Sequence, residues 1–230
     1  MTPNYSDSAD TTAERGKKAW KPLLALLAIP AINVLYMLQN RPNDSAQSLV
    51  TEVDRMTPLI PAFALPYVLW YPFLLLVFVL ILRKNKQEYY RTLLAMCLGL
   101  LLSNLVFLFF QTTVPRPDVA ADGGFNRLIQ FVYANDQPYN CFPSVHVMTS
   151  ALMIYGSRVL GWGTKIPLAI FGASIIASTL FIKQHVLADV LGGLLAAKLV
   201  FWLAGELMPL LLLLKTAREK LSNERSVSRT

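Results

Sequence analysis

The sequence predicts an all-α polytopic membrane protein with six transmembrane helices and further helical segments at the membrane interface. Hydrophobic residues make up 54% of its 230 residues and charged residues only 15%, whereas about 25% of the residues in soluble domains are charged. Six apolar segments approach the roughly 20 residues that a helix needs to cross a bilayer. The net charge is +7, but the basic residues lie in short clusters between these segments, which favours membrane loops over a nucleic-acid surface.

The six apolar segments divide the chain into a short polar tail, a membrane domain and a basic tail. Their predicted positions are 22–38, a part of 56–82, 92 to about 113, 144 to about 157, 166–182, and 186 to at least 204. The second segment begins with several prolines, so its start is interpreted as an interfacial or re-entrant piece and its later part as the span. The predicted domains are a tail at 1–21, a six-span domain at 22–214 and a tail at 215–230.

The distribution of Lys and Arg predicts the orientation in the cell membrane. With the amino terminus inside, fifteen basic residues lie on the cytoplasmic side and five outside, and the opposite orientation would invert these numbers. Basic residues favour the cytoplasmic side of short loops. We therefore expect both termini to be cytoplasmic, and the loops before the fourth and sixth spans to be extracytoplasmic.

Residues suited to phosphoryl chemistry fall at three places that this topology brings to the outer face. The two histidines of the chain are His146, at the start of the fourth span, and His185, just before the sixth. Arg116 follows the third span, and Asp189 comes four residues after His185. If the sixth helix has already begun at His185, these two side chains share a helix face. Because these residues played no part in defining the spans, their common depth independently favours a catalytic site.

Each of the two histidines has a distinct predicted role in phosphoryl transfer. A neutral imidazole at His185 attacks phosphorus and forms a covalent intermediate. The carboxylate of Asp189 fixes the tautomer of that ring and leaves its other nitrogen free. His146 then donates a proton to the leaving oxygen and later activates water.

Three further residues are predicted to bind the phosphate. Arg116 offers a planar set of donors, and Ser144 caps the fourth helix, whose free N–H groups bind anions. Lys183 adds a positive charge, although it serves equally well as an interfacial anchor. No metal site, disulfide or cofactor is expected, because Cys97 and Cys141 fall at different depths and no cluster of Cys and His has metal-ligand spacing.

At these residues the chain resembles the type 2 phosphatidic acid phosphatase superfamily. The second family motif, Pro-Ser-x-His, matches 143–146, and the spacing of the third, Ser-Arg-x5-His-x3-Asp, matches 178–189. The first motif, Lys-x6-Arg-Pro, ends at Arg116 and Pro117. The resemblance covers about 92–193, with the motifs within 109–193, and is specific as a set. It implies a six-span fold, a metal-independent reaction at the outer leaflet, and the same roles for His185, His146, Asp189, Arg116 and Ser144.

The chain departs from the family pattern at two cationic positions. Phe109 stands where the first motif has Lys, and Thr179 where the third has Arg. Lys183, one turn after Thr179, is the candidate replacement. The surrounding residues resemble the branch that includes inositol phosphorylceramide synthases, which adds a head-group transferase to the functions considered.

The leading hypothesis is a phosphatase that acts on a membrane lipid phosphate or diphosphate through a phosphohistidine. The alternative is a phosphotransferase that passes the group to a lipid alcohol instead of water. A third hypothesis, a transporter or scaffold, is disfavoured because transporters place ionisable groups near the bilayer midplane. The expected partners are the lipid substrate and the bilayer, without nucleic acid, and the sequence leaves the lipid and the oligomeric state open.

Overall fold

The computed structural model describes residues 21–227, apart from the side chains of residues 212, 215 and 218–227, and forms a bundle of apolar helices. Residues 1–20 and 228–230, in the two predicted tails, lie outside this range. The helices in chain order are α1 (Lys21–Leu24), α2 (Ala28–Gln39), α3 (Glu52–Met56), α4 (Ala64–Val68), α5 (Trp70–Lys84), α6 (Lys86–Phe109), α7 (Gly124–Asn135), α8 (Val145–Gly156), α9 (Trp162–Phe181) and α10 (Leu187–Val227), with 3₁₀ turns at Ala25–Leu27, Pro61–Phe63 and Ser157–Val159. Strands β1 (Gln47–Ser48) and β2 (Thr112–Thr113) form a short parallel pair.

Within the described residues, five helical stretches are long and apolar enough to cross a membrane. They are Lys21–Gln39, Pro61–Lys84, Lys86–Phe109, Trp162–Phe181 and Leu187–Leu211. Each matches one of the predicted segments, so the all-α polytopic fold is confirmed. Their surfaces carry many exposed leucines, including Leu101, Leu195 and Leu213, as expected where lipid rather than water is the solvent.

The remaining predicted span corresponds to α8, which is shorter than the other five. Its 12 residues extend about 18 Å at 1.5 Å per residue, and the side chains of its middle turns are buried between α5, α6, α9 and α10. The Ser144 N–H before α8 donates to the Asp189 carbonyl of α10, while Arg158 after α8 pairs with Glu88 in the first turn of α6 at 2.8 Å. This helix thus runs from one end of the bundle to the other, and the count of six spans stays a prediction.

Several helix boundaries differ from the predicted ones, and two of these differences have a clear local cause. Helix α6 begins at Lys86 rather than near Thr92, because the Asn85 side chain accepts the Glu88 N–H at 3.0 Å and caps the helix earlier. Helix α10 continues as far as Val227, past the predicted domain end at 214. Residues 215–227 are rich in good helix formers such as Ala, Leu, Lys, Arg and Glu, so the helix continues beyond its apolar part.

Two connections lie together at the end of the bundle that carries the site. The loop after α2 pairs through β1 with β2, directly after α6. The long connector that follows contains an amphipathic helix, α7, which packs against α4 through Ile129 and Val132. Phe125 and Phe131 on α7 are exposed. The connector is therefore ordered, and α7 is a helical segment outside the predicted spans.

The contact between α8 and α10 requires a glycine at position 193. A Cβ atom there would lie 2.8 Å from the Ser144 carbonyl oxygen and 2.9 Å from Cβ of Val147. We expect Gly193→Ala to lower the free energy of unfolding by about 1–3 kcal/mol, because backbone atoms cannot give way as a flexible side chain does. Thermal unfolding in detergent measures this loss.

Gly163→Ala is the matched control for this substitution. Gly163 lies in the first turn of α9, and its Cβ would meet nothing within 4 Å. Alanine there should be neutral or slightly stabilising, because glycine is a poor helix former. Equal unfolding temperatures for the two variants would contradict the close approach at Gly193.

Candidate active site

His185 and Asp189 form a hydrogen-bonded pair where α9 passes into α10. Nδ1 of His185 lies 3.2 Å from Oδ2 of Asp189, and both side chains are buried. His185 precedes the helix by two residues, and Asp189 reaches back from the first turn to accept the Val186 N–H at 3.0 Å, as the acidic residue of a capping box does. Because Nδ1 faces the carboxylate, Nε2 is the ring nitrogen left free.

His146 lies beside this pair, in the first turn of α8. The centroids of the two imidazole rings are 6.2 Å apart. Two aromatic side chains hold the ring of His146: Tyr67 stacks on it with centroids 4.4 Å apart, and the centroid of Trp70 lies at 4.1 Å. The Trp70 indole donates to Thr149 at 2.9 Å, which fixes its ring. The structure therefore brings both predicted histidines into one site.

A carboxylate that was not expected at the site from the sequence, that of Asp136, lies beside Tyr67. The Tyr67 hydroxyl donates to Asp136 at 3.0 Å and lies 3.5 Å from Nδ1 of His146. Asp136 also accepts from the hydroxyl of Tyr36 at 2.8 Å and from the side-chain amide of Asn40 at 3.1 Å. Each histidine thus has a carboxylate nearby: Asp189 touches His185 directly, and Asp136 is linked to His146 through a tyrosine.

Arg116 is fixed by the residue next to His185. Its guanidinium donates to the side-chain oxygen of Gln184 and to the Tyr133 carbonyl, and lies over the Tyr133 ring at 4.7 Å. Burial raises the pKa of Tyr133 to about 12, so this phenol stays protonated and donates to the Ile182 carbonyl at 2.7 Å. Two buried donor atoms in this group, Nε of Arg116 and Nε2 of Gln184, have no acceptor.

Ser144 lies at the amino-terminal end of α8, as expected. Its side chain accepts the Val147 N–H at 3.3 Å and caps the helix, and the residue is fully buried. The first N–H groups of a helix have no partner within the helix and attract anions. The amino terminus of α8 therefore presents such donors next to His146.

Lys183 is held by backbone carbonyls. Its ammonium donates to the carbonyl oxygens of Asp54, at 2.8 Å, and of Thr57. Asp54 also accepts the Leu187 N–H at 2.8 Å, so it caps α10. Burial alone would raise the pKa of Asp54, but hydrogen bonds from Thr51 and Leu187 lower it below the ordinary value. These contacts link the turn before α10 to the end of α3.

The two positions where the family motifs have cations differ in their surroundings. Phe109 is 80% exposed at the end of α6. The hydroxyl of Thr179 donates to the Ile176 carbonyl, and its own carbonyl accepts the N–H groups of Gln184 and His185, each at 3.0 Å. Thr179 therefore shapes the turn that carries His185.

Each of the two histidines lines a cavity of its own. A cationic cavity of about 390 Å³ is lined by Arg116, Lys183 and His185. An aromatic cavity of about 450 Å³ is lined by His146 and Asp136, and its walls are mostly apolar. The aromatic side chains of this second cavity are Tyr36, Tyr67, Trp70, Tyr71 and Phe131.

Several side chains near the histidines were not expected there from the sequence, among them Tyr67, Asp136 and Cys141. Tyr67 and Asp136 were not expected at the site because their positions relative to His146 depend on how α4 and α7 pack. Cys141 is brought close to His185 and Asp189: the three possible ligand atoms lie within 4.8 Å of one another. Burial, and then the Asp189 carboxylate, raise the pKa of the Cys141 thiol well above its ordinary value, so the thiol is protonated and a poor nucleophile.

The fold defines a polytopic membrane protein in which two histidines, an arginine and two carboxylates lie together at one end of the helical bundle. The sequence profile of the PAP2 superfamily matches residues 44–203. This range includes the three motif regions and most of the helical bundle. The chain belongs to the PAP2 superfamily. Members of this superfamily are phosphatases, which supports a phosphatase-type function on lipid phosphates in general terms. No curated protein and no solved structure matches the chain.

Proposed function

We propose that this protein is a metal-independent lipid phosphate or diphosphate phosphatase that works through a phosphohistidine at His185. The observation that carries the proposal is the grouping at the cationic cavity. His185 is oriented by Asp189, while Arg116 lines the same cavity and donates to the neighbouring Gln184. Nε of Arg116, which lines this cavity, is a buried donor without an acceptor, and we assign a phosphate oxygen as that acceptor. A buried donor without a partner costs about 1–3 kcal/mol, so an anion gains by binding there.

In the first step, the free Nε2 of His185 attacks phosphorus. The new P–N bond forms as the P–O bond to the lipid breaks, and His146 gives its proton to the departing lipid oxygen. The Nδ1 proton of His185 stays on the hydrogen bond to Asp189, which stabilises the positive charge that develops on the ring. The phosphate oxygens are bound by Arg116 and by the N–H groups at the start of α8.

In the second step, His146 removes a proton from water as the water oxygen attacks phosphorus. The P–N bond breaks, inorganic phosphate leaves, and both histidines return to their starting protonation states. One imidazole thus serves as acid and then as base, which requires it to lie beside the nucleophile. The 6.2 Å between ring centroids supports this arrangement.

The two cavities suggest how the substrate lies in the site. An in-line displacement places the attacking nitrogen and the leaving oxygen on opposite sides of phosphorus. We assign the phosphoryl group to the side of His185 and Arg116, and the lipid leaving group to the aromatic cavity beside His146. The mostly apolar walls of the aromatic cavity suit a lipid.

We further propose that the site end of the bundle faces away from the cytosol. Arg83, Lys84 and Lys86 lie at the junction of α5 and α6, and Arg158 pairs with Glu88 beside them. These basic residues are at the opposite end of the bundle from His185, and cytoplasmic loops are enriched in Lys and Arg. In this orientation, both ends of the six-span domain (22–214) are cytoplasmic.

The experiment that tests the function is phosphate release by the purified protein from a panel of lipid phosphates and diphosphates in detergent. A hydrolase releases inorganic phosphate without an added alcohol. A head-group phosphotransferase, the alternative, forms product only when a lipid alcohol is supplied. Lipid that moves across proteoliposomes without any change in phosphorylation would favour the transporter hypothesis and contradict both.

Asp136 offers a test of the role proposed for His146. A carboxylate near His146 stabilises its protonated form, and protonated His146 is the proposed acid. We expect Asp136→Asn to lower kcat about tenfold or more and to move the alkaline limb of the kcat–pH profile to lower pH by about one unit. A stopped assay of phosphate release between pH 5 and pH 9 measures both effects.

Asp118→Asn is the matched control for Asp136→Asn. It removes the same charge from the same connector, but Asp118 is exposed. Its pH profile should coincide with that of the wild type. If Asp136→Asn loses activity without any displacement of the alkaline limb, Asp136 has a structural role only.

A further inference from the structure

Three different types of metal-ligating atom meet where His185 contacts Asp189. The sulfur of Cys141, a ring nitrogen of His185 and a carboxylate oxygen of Asp189 lie within 4.8 Å of one another. Cys141 and Asp189 are almost completely buried, at 3% and 1% exposure, and His185 is at 9%. One oxygen of the Asp189 carboxylate, Oδ1, is buried without any hydrogen-bond partner. A buried carboxylate oxygen without a donor is a strong acceptor for a cation.

The distance between the ligand atoms of His185 and Asp189 fits a small tetrahedral ion. Bonds of about 2.0 Å from Zn²⁺ to nitrogen and oxygen place the two ligand atoms about 3.3 Å apart, and Nδ1 of His185 lies 3.2 Å from Oδ2 of Asp189. The Cys141 S–H donates to the Pro138 carbonyl at 3.4 Å. A Zn–S bond of about 2.3 Å therefore requires this side chain to rotate away from that carbonyl.

The combination of sulfur, imidazole and carboxylate selects one class of cation. Thiolate and imidazole favour Zn²⁺ and similar ions, whereas Mg²⁺ requires an octahedral set of oxygen ligands. We infer that Cys141, His185 and Asp189 form a site for Zn²⁺, and that its occupation inhibits the enzyme. The inhibition rests on the proposed function; the binding of the ion does not.

The inhibition follows from the bonds that the ion replaces. Zn²⁺ replaces the Nδ1 proton of His185, and both this proton and the proton of the Cys141 thiol pass to solvent as the Zn–N and Zn–S bonds form. The ring then loses electron density to the metal, and the carboxylate no longer balances the charge that develops when Nε2 attacks. Cys141 acts only as a ligand, and catalysis in the absence of the ion does not depend on it.

The test is a Zn²⁺ titration of purified full-length protein that has been cleared of metal with a chelator. We expect about one Zn²⁺ per chain by calorimetry, and loss of phosphate release as this site fills. In Cys141→Ser, half-inhibition, expressed relative to that variant's own activity without zinc, should need at least about tenfold more Zn²⁺. Cys97→Ser, which changes the cysteine in α6, should behave as the wild type, and Mg²⁺ should not inhibit.

X-ray absorption at the zinc edge tests the site independently of activity. Wild type and Cys97→Ser should show a sulfur ligand at about 2.3 Å, and Cys141→Ser should lack it. A bound ion without sulfur in the wild type, or inhibition unaltered by Cys141→Ser, would overturn the inference. If no lipid phosphate is hydrolysed but the sulfur ligand is present, the proposed function fails while the metal site stands.

Discussion

Substitution of His185 by alanine is expected to abolish phosphate release, with a loss of about 10⁴-fold or more in kcat. Without the imidazole there is no nucleophile to form the covalent intermediate, and neither Arg116 nor the amino terminus of α8 supplies one. The ring lies 3.2 Å from Asp189 and only 9% of the residue is exposed, so water does not readily take its place. Phosphate release from the best lipid substrate, with purified protein in detergent, measures the effect.

Chemical trapping of the intermediate distinguishes a lost nucleophile from a damaged fold. Brief reaction of the wild type with a substrate labelled in the phosphoryl group, followed by alkaline quenching, should leave label on the chain. The label should be stable in alkali and released by acid, as a phosphoramidate bond is, and His185→Ala should carry none.

His185→Gln is the companion variant, because an amide of similar size fills the space. It should unfold at nearly the same temperature as the wild type and be equally inactive. Near-normal phosphate release by either variant would exclude the proposed mechanism.

Substitution of His146 by alanine should cost less, about 10²–10⁴-fold in kcat on a lipid phosphate, and in a way that depends on the leaving group. The proposed acid matters most when the departing alcohol is a poor leaving group. An aryl phosphate with an acidic phenol releases its phenolate without the help of an acid. With such a substrate, we therefore expect the rate of the first step in His146→Ala to be much closer to that of the wild type. A burst of phenol release measures this rate.

The second step of the same variant provides its internal control. With His146 absent, no base activates water, so the phosphohistidine should accumulate after the burst. His185→Ala should give neither burst nor labelled chain with either substrate. An equal loss on lipid and aryl substrates, without accumulation, would contradict the acid and base roles of His146.

Much of the fold was predictable because it depends on local sequence. Apolar length located five helices that the structure describes, and the i, i+4 spacing predicted the contact between His185 and Asp189. The start of α6 after Asn85 was missed because the helix cap lies earlier than the change in hydropathy. Helix α7 was missed because its amphipathic pattern lies within a polar connector. The short α8 also shows that hydropathy does not distinguish a full span from a helix enclosed by its neighbours.

The sequence was a poorer guide to the contacts of the cationic side chains of the site. Lys183 was the candidate replacement for two missing cations, yet its ammonium binds the carbonyls of Asp54 and Thr57. A lysine side chain is long enough to reach several acceptors, and only the path of the loop around α3 decides which it meets. Its predicted role on the phosphate stays a prediction.

The sequence by itself determined the membrane class, the order of the motifs and the pairing of His185 with Asp189, since each depends on residues within one apolar run or one helical turn. Only the tertiary structure decided that Tyr67, Trp70 and Asp136 surround His146, that Gln184 holds Arg116, and that Cys141 approaches Asp189. These contacts join residues far apart in the chain. They depend on the angles and depths at which the helices and the connector pack, which no periodicity in a single segment specifies.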